Sequence, residues 1–183
     1  MKGILMKNID VELSNISEIK QEYDYFKCTN GSLNRYLAED AYYHDLMSLA
    51  KTKLVKIAVS KSEERTVGFF TLQLKKFTIQ EDGDKEEYPC IYLKCIATDK
   101  NYEGRGIGTN VLNYIISQSK NFSDFVGCRC LLIDALTEDI NWYRDRGFQF
   151  VDEDNVDDDI LEPTIEMFID FRNKSKVDNY FDE

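Results

Sequence analysis

Ile91-Tyr92-Leu93-Lys94-Cys95-Ile96-Ala97-Thr98 and, after Asp99 to Tyr102, Glu103-Gly104-Arg105-Gly106-Ile107-Gly108-Thr109 form the stretch that decides the fold. The first run is apolar and rich in β-formers and reads as a strand. The residues that follow the second run, Asn110 to Lys120, place Val111, Leu112, Ile115 and Ile116 on one side at helical spacing. Strand, glycine turn and helix start together make an anion cradle. Backbone N–H groups at a helix start have no carbonyl behind them, and the macrodipole adds partial positive charge where a phosphate would sit. The glycines supply positive φ or allow a ligand to approach the backbone closely. Their spacing differs from the Gly-x-Gly-x-x-Gly of dinucleotide folds.

The run Ile96 to Gly108 resembles motif A of the GCN5-related N-acetyltransferases (GNATs), whose turn Gln/Arg-x-x-Gly-x-Gly/Ala cradles the pyrophosphate of acetyl-CoA. Gly106 and Gly108 fall on its two small positions. Glu103 stands where the family has Gln or Arg, so that position must act through its backbone, while Arg105 supplies the missing charge. The resemblance implies a cofactor site made of Ile96, Ala97, Thr98, Glu103, Gly104, Arg105, Gly106, Ile107, Gly108 and Thr109. In it the backbone of Ile96 and Thr98 pairs with the pantetheine amides. A second match is Leu131-Leu132-Ile133-Asp134-Ala135 followed by Trp142-Tyr143-Arg144-Asp145-Arg146-Gly147-Phe148, which resembles motif B. Tyr143 lands on the tyrosine that, in many members, protonates the departing thiolate. Where many relatives place Asn, this chain has Leu136 and Thr137. Thr164 to Asp170 resembles the final strand.

The resemblance implies an α/β (mixed α+β) fold: a central, mostly antiparallel sheet splayed between strands 4 and 5, with helices on both faces. Reading along the chain, Val11 to Leu13 form a short strand and 32–49 one helix with Ser32 as N-cap. Strands at 53–60 and 67–76 form a hairpin, a charged loop spans 80–88, and the central strand runs 90–98. A helix at 107–120, a strand at 129–134, a helix at 137–146 and strands at 148–151 and 164–171 complete the order. Pro89 and Pro163 both stand just ahead of strands.

A single domain over residues 1–183 is expected from the length, and the 43% hydrophobic content excludes wholesale disorder. No stretch reaches the roughly 18 apolar residues of a membrane helix. The N-terminus is too short and too soon polar for a secretion signal. The five cysteines form no Cys-x-x-Cys pair, and with one His they make no convincing zinc site, so no metal is expected. They read as reduced, mostly buried thiols of a cytoplasmic protein. Cys95 reads as packing, His44 as a lone surface histidine, and the acidic run 152–159 as a solvated loop.

Acetyl transfer to an amine makes two chemical demands. The amine must be neutral, whereas a lysine-like amine with a pKa of about 10.4 is almost wholly protonated at pH 7. The leaving thiolate needs a proton, and a tyrosine of pKa about 10 holds one throughout the working range. Tyr92 and Lys94 on the central strand, with acids of the first helix, are candidates to face the cleft, and no base is assigned. The formal net charge of −11 repels polyanions and attracts cations, so a small-molecule or protein amine is the expected acceptor. Phe26-Lys27-Cys28 and Leu33-Asn34-Arg35-Tyr36-Leu37 resemble a branch of the family that includes toxins acetylating aminoacyl-tRNA, with a small antitoxin as partner. That alternative needs a local basic patch, Lys51, Lys53 and Lys56 or Lys75 and Lys76. A non-catalytic acyl-CoA-binding module is the third reading, and it would not need Tyr143. A homodimer is one possible assembly.

Overall fold

A computed structural model describes residues 4–6, 9–18, 25–61, 63–81, 84–151 and 164–172. The strands are β1 (Ile4–Met6), β2 (Ile9–Asn15), β3 (Lys51–Ala58), β4 (Glu64–Glu81), β5 (Asp84–Thr98), β6 (Cys130–Leu136), β7 (Gln149–Phe150) and β8 (Thr164–Asp170). The helices are α1 (Gly31–Glu39), α2 (Ala41–Leu46), α3 (Ile107–Val126) and α4 (Ile140–Arg144), with short 3-10 turns at Ile16–Glu18 and Thr137–Asp139. The strands form one sheet in the order β1-β2-β3-β4-β5-β6-β8-β7. The β1–β2, β2–β3, β3–β4, β6–β8 and β7–β8 pairs are antiparallel. This is the mixed, mostly antiparallel α+β architecture expected from the sequence. The added strand β1 moves the expected strands 4 and 5 to β5 and β6.

Chain contacts divide the molecule into two compact units, residues 1–73 with 93–115 and residues 74–92 with 116–183. In the first, α1 and α2 lay Leu37 and Ala41 on Leu54, Phe69 and Cys95, beside Ile16, Phe26 and Cys28. Phe26 meets Phe69 edge-on with centroids 5.4 Å apart, a geometry favoured by the ring quadrupoles. Val55 and Phe70, one residue on from Leu54 and Phe69, turn to the other face and are also buried. In the second unit, Phe77, Cys90, Cys130 and Leu132 form a buried cluster flanked by Tyr92, Val151 and Phe168. Seven residue pairs, from Cys130↔Asp170 to Leu136↔Thr164, hold β6 to β8.

Several sequence expectations are corrected. The helix expected at 32–49 is two helices, and its N-cap is Asn30 rather than Ser32: the Asn30 side chain accepts from Ser32 N and Leu33 N at 2.9 and 3.2 Å. The break at Asp40 leads into α2, whose buried Asp45 accepts from Thr52 N (3.0 Å) and Lys51 Nζ (3.3 Å) and so draws the chain into β3. Periodicity of apolar residues carries across such a break because both helices face the same cluster. Most of the charged segment expected to be a loop at 80–88 is strand, since β4 runs to Glu81 and β5 begins at Asp84. A hairpin ladder that long satisfies backbone groups whatever the side chains are. Pro89 therefore lies inside β5, and its carbonyl accepts Arg129 N at 2.9 Å where β6 is about to begin. Pro163 and the acidic run 152–159 lie outside the described residues.

Candidate active site

The end of β5 carries the first half of the expected site. Ile96, Ala97 and Thr98 are half-buried and Cys95 is buried. Burial pushes the Cys95 thiol up to about 12, so it is a packing thiol and no nucleophile at neutral pH. Gly68 on β4 is a residue that sequence reasoning missed. A Cβ built there would lie 2.9 Å from the Ala97 carbonyl oxygen. A glycine inside an apolar strand was the available signal, because it marks close backbone approach. Gly68→Ala is expected to push β5 away at Ala97 and cost about 1–3 kcal/mol of stability, measured by denaturant unfolding.

Asp99 sets the loop that follows. It is buried, and its carboxylate accepts from Lys27 N, Asn101 N and Asn101 Nδ2, each at 2.9 Å. Its own N–H donates to Val67 O at 2.8 Å, and its carbonyl accepts Tyr102 N at 2.8 Å. The chain thus leaves the sheet at a fixed point and turns through Gly104 (φ +71°) and Gly106 (φ +78°), a region that glycine enters without strain. The first helical bond of α3 runs from Asn110 N to Gly106 O at 3.0 Å. The N–H groups of Ile107 and Gly108 come before it, at the positive end of a twenty-residue helix. Gly108 lies inside that first helical turn and is not a positive-φ residue. No positive φ therefore requires glycine at this position.

Arg105 and Glu103 are both exposed. The Arg105 guanidinium donates to Asn101 O (3.1 Å) and lies 4.9 Å from the Tyr102 ring centroid, so it braces the loop while remaining open to solvent. Burial, helped by the charges of Glu103 and Asp99, raises the Cys28 thiol above its ordinary range.

Tyr143 is buried in α4, held edge-on between Trp142 (4.8 Å) and Phe148 (5.4 Å). Burial, followed by the charge of Asp139, pushes its pKa well above that of a free tyrosine. The phenol therefore keeps its proton at neutral pH.

The remaining expectations have mixed outcomes. His44 is not alone: its Nδ1 lies 3.3 Å from the Tyr36 hydroxyl, and its ring packs against Tyr36 and Tyr43. All five cysteines are buried free thiols. Each lysine of the patch expected from Lys51, Lys53 and Lys56 has a partner. Lys51 pairs with Asp45 at 3.3 Å, Lys53 donates to Asn15, and Lys56 is buried and faces Glu64 at 3.6 Å. Lys76 pairs with Glu87 at 2.6 Å, and the Lys75 ammonium lies 4.4 Å from the Tyr92 ring centroid. Lys94, by contrast, is exposed and reaches the Tyr36 ring at 5.4 Å. Among the described residues no His, Cys, Asp and Glu group could hold a metal, and no helix is long and apolar enough to cross a membrane.

The family model of the acetyltransferase (GNAT) family matches residues 18–148, well over half the chain. The chain belongs to the GNAT acetyltransferases. This GNAT also shares its fold with solved structures. AtaTR bound with acetyl-CoA matches at 19% identity over 94% of this chain and 98% of that one, with a TM-score of 0.69. The KacTA–DNA complex matches at 21% over 94% and 99%, with a TM-score of 0.68. AtaT complexed with acetyl-methionyl-tRNAfMet matches at 17% over 94% and 99%, with a TM-score of 0.71. At these identities the likeness is one of fold.

Proposed function

We propose that this GNAT moves an acetyl group from acetyl-CoA directly to a primary amine. The observation that carries the reading is the Asp99-anchored loop, which presents the Ile107 and Gly108 N–H groups at the start of α3. Two left-handed glycines and a solvent-facing Arg105 border that helix start, a combination suited to a pyrophosphate. Glu103, Gly104 and Thr109 complete the cradle, Glu103 through its backbone. Ile96, Ala97 and Thr98 offer strand backbone to the pantetheine amides. Acetyl-CoA, when bound, supplies the activated thioester.

Tyr143 is the proton donor for the leaving thiolate. Burial keeps the phenol in its protonated, donor form at neutral pH, and Trp142 and Phe148 hold its ring in place. The test is single-turnover acetyl transfer to an amine panel by the purified protein, with formation of N-acetylated product and free thiol followed together.

A second reading has a specific observation in its favour: the fold is shared over nearly the full chain with AtaT, which has been solved with acetyl-methionyl-tRNA. In that reading the acceptor is the α-amine of an aminoacyl-tRNA, and an antitoxin is a partner. The net charge of −11 and the internally engaged lysines favour the small or protein amine. A Lys75→Glu, Lys76→Glu double variant separates the two. Transfer to polyamines should be unchanged or slightly faster, whereas transfer to charged tRNA should collapse if phosphates dock there. Robust acetylation of charged tRNA by the wild type, with none on any amine, would establish the second reading.

A further inference from the structure

Within the first unit, Lys27 and Cys28 link α1 to the cradle loop, and all four of their backbone polar groups are engaged. The Lys27 N–H donates to Asp99 Oδ2 and the Lys27 carbonyl accepts Lys100 N, both at 2.9 Å. On the other side, the Cys28 N–H donates to Asn34 Oδ1 and the Cys28 carbonyl accepts Asn34 Nδ2, again both at 2.9 Å. One amide side chain thus pairs with Cys28 as a neighbouring strand would, offering an acceptor and a donor together. Asn34 belongs to α1, whose start is fixed by the Asn30 cap. Helix, dipeptide and loop therefore form one hydrogen-bonded series.

The series continues to the charged group of the cradle. Asp99 Oδ1 accepts both Asn101 N and Asn101 Nδ2 at 2.9 Å, and the Asn101 carbonyl accepts the Arg105 guanidinium at 3.1 Å. Arg105 is exposed, and a long side chain in solvent samples many rotamers unless something holds it. Asp99 is buried, a costly place for a carboxylate unless hydrogen bonds compensate. The geometry gives the reason for a carboxylate here: one oxygen serves Lys27 and the other serves Asn101. An amide has only one acceptor oxygen and could serve one side alone. Neither Asn34 nor Asp99 belongs to the glycine turn.

We propose that Asp99, backed by Asn34 through the Lys27-Cys28 backbone, is a positioning residue that holds Arg105 for the pyrophosphate of acetyl-CoA. The proposal rests on the acetyl-CoA cradle reading and extends the cofactor site to α1. Asp99 and Asn34 make no contact with the cofactor themselves and act through Asn101 and Arg105.

The experiment is a double-mutant cycle. Acetyl-CoA is titrated calorimetrically into wild type, Asp99→Asn, Arg105→Ala and the variant carrying both, with the thermal midpoint of each protein measured alongside. Asp99→Asn leaves one N–H of Lys27 or Asn101 facing an amide donor and should weaken acetyl-CoA about tenfold. In the Arg105→Ala background the same substitution should cost less than about threefold, because the group it positions is gone. A residue that merely supports the fold would lower the midpoint and weaken binding equally in both backgrounds. That result overturns the proposal, and so does wild-type affinity in Asp99→Asn. Asn34→Asp keeps the acceptor for Cys28 N but sets a carboxylate oxygen against the Cys28 carbonyl. It runs the same cycle from outside the loop, should show the same dependence on Arg105, and decides the matter should Asp99→Asn fail to fold. Failure of wild type to bind acetyl-CoA would refute the cradle and the proposal with it. Binding by wild type with a loss only in Arg105→Ala would keep the cradle and remove the positioning role.

Discussion

Tyr143→Phe is expected to lower kcat by about 10²–10⁴-fold while leaving acetyl-CoA affinity nearly intact, the usual loss for a positioned proton donor. The substitution removes one oxygen from a side chain whose ring is fixed by Trp142 and Phe148, so the packing around α4 survives. Because burial raises the phenol's pKa, the proton is present on both sides of neutrality. Deprotonation of Tyr143 should therefore cause no fall in kcat below pH about 10, the value for a free tyrosine. Stopped-flow thiol release against pH, in both proteins, measures the size of the effect and its pH range together. Wild-type turnover by the Phe variant would make Tyr143 a packing residue, with water protonating the thiolate.

Gly108→Val is expected to abolish measurable acetyl-CoA binding in a folded protein. Gly108 is already helical, so valine meets no forbidden φ there, and the fold should bear it at a modest cost in helix propensity. On the proposed cradle, the branched side chain would take the space in front of the first N–H groups of α3, where a pyrophosphate would sit. Calorimetry for binding and circular dichroism for folding separate these effects. Unchanged affinity would disprove the cradle. Arg105→Ala should act more mildly, weakening binding by about 1–3 kcal/mol, since it removes one charge-assisted contact and leaves the backbone donors in place.

Much of this was legible in the chain itself. The apolar run 91–98, the glycines of 104–108 and the stripe of Val111, Leu112 and Ile115 fix a strand, a turn and a helix, because their period and their φ requirements are local properties. The Trp142-Tyr143 pair ahead of Gly147-Phe148 likewise marked α4 and its turn, and Gly147 does adopt a positive φ. Net charge and cysteine spacing, being sums over the sequence, needed no structure. What the sequence missed depends on partners far along the chain. Gly68 matters only because Ala97 lies against it, and Asp99 matters because Lys27 and Asn101 converge on its carboxylate. The break at Asp40 is hidden by an apolar period that suits both helices. The length of the β4–β5 hairpin is hidden by charged residues whose backbones pair regardless of side chain. Lys75, Tyr92 and Asp134 meet across three strands at positions that no spacing rule connects, because the strand order places them side by side. Local chemistry determined the elements and the motif, and long-range backbone pairing decided which side chains meet.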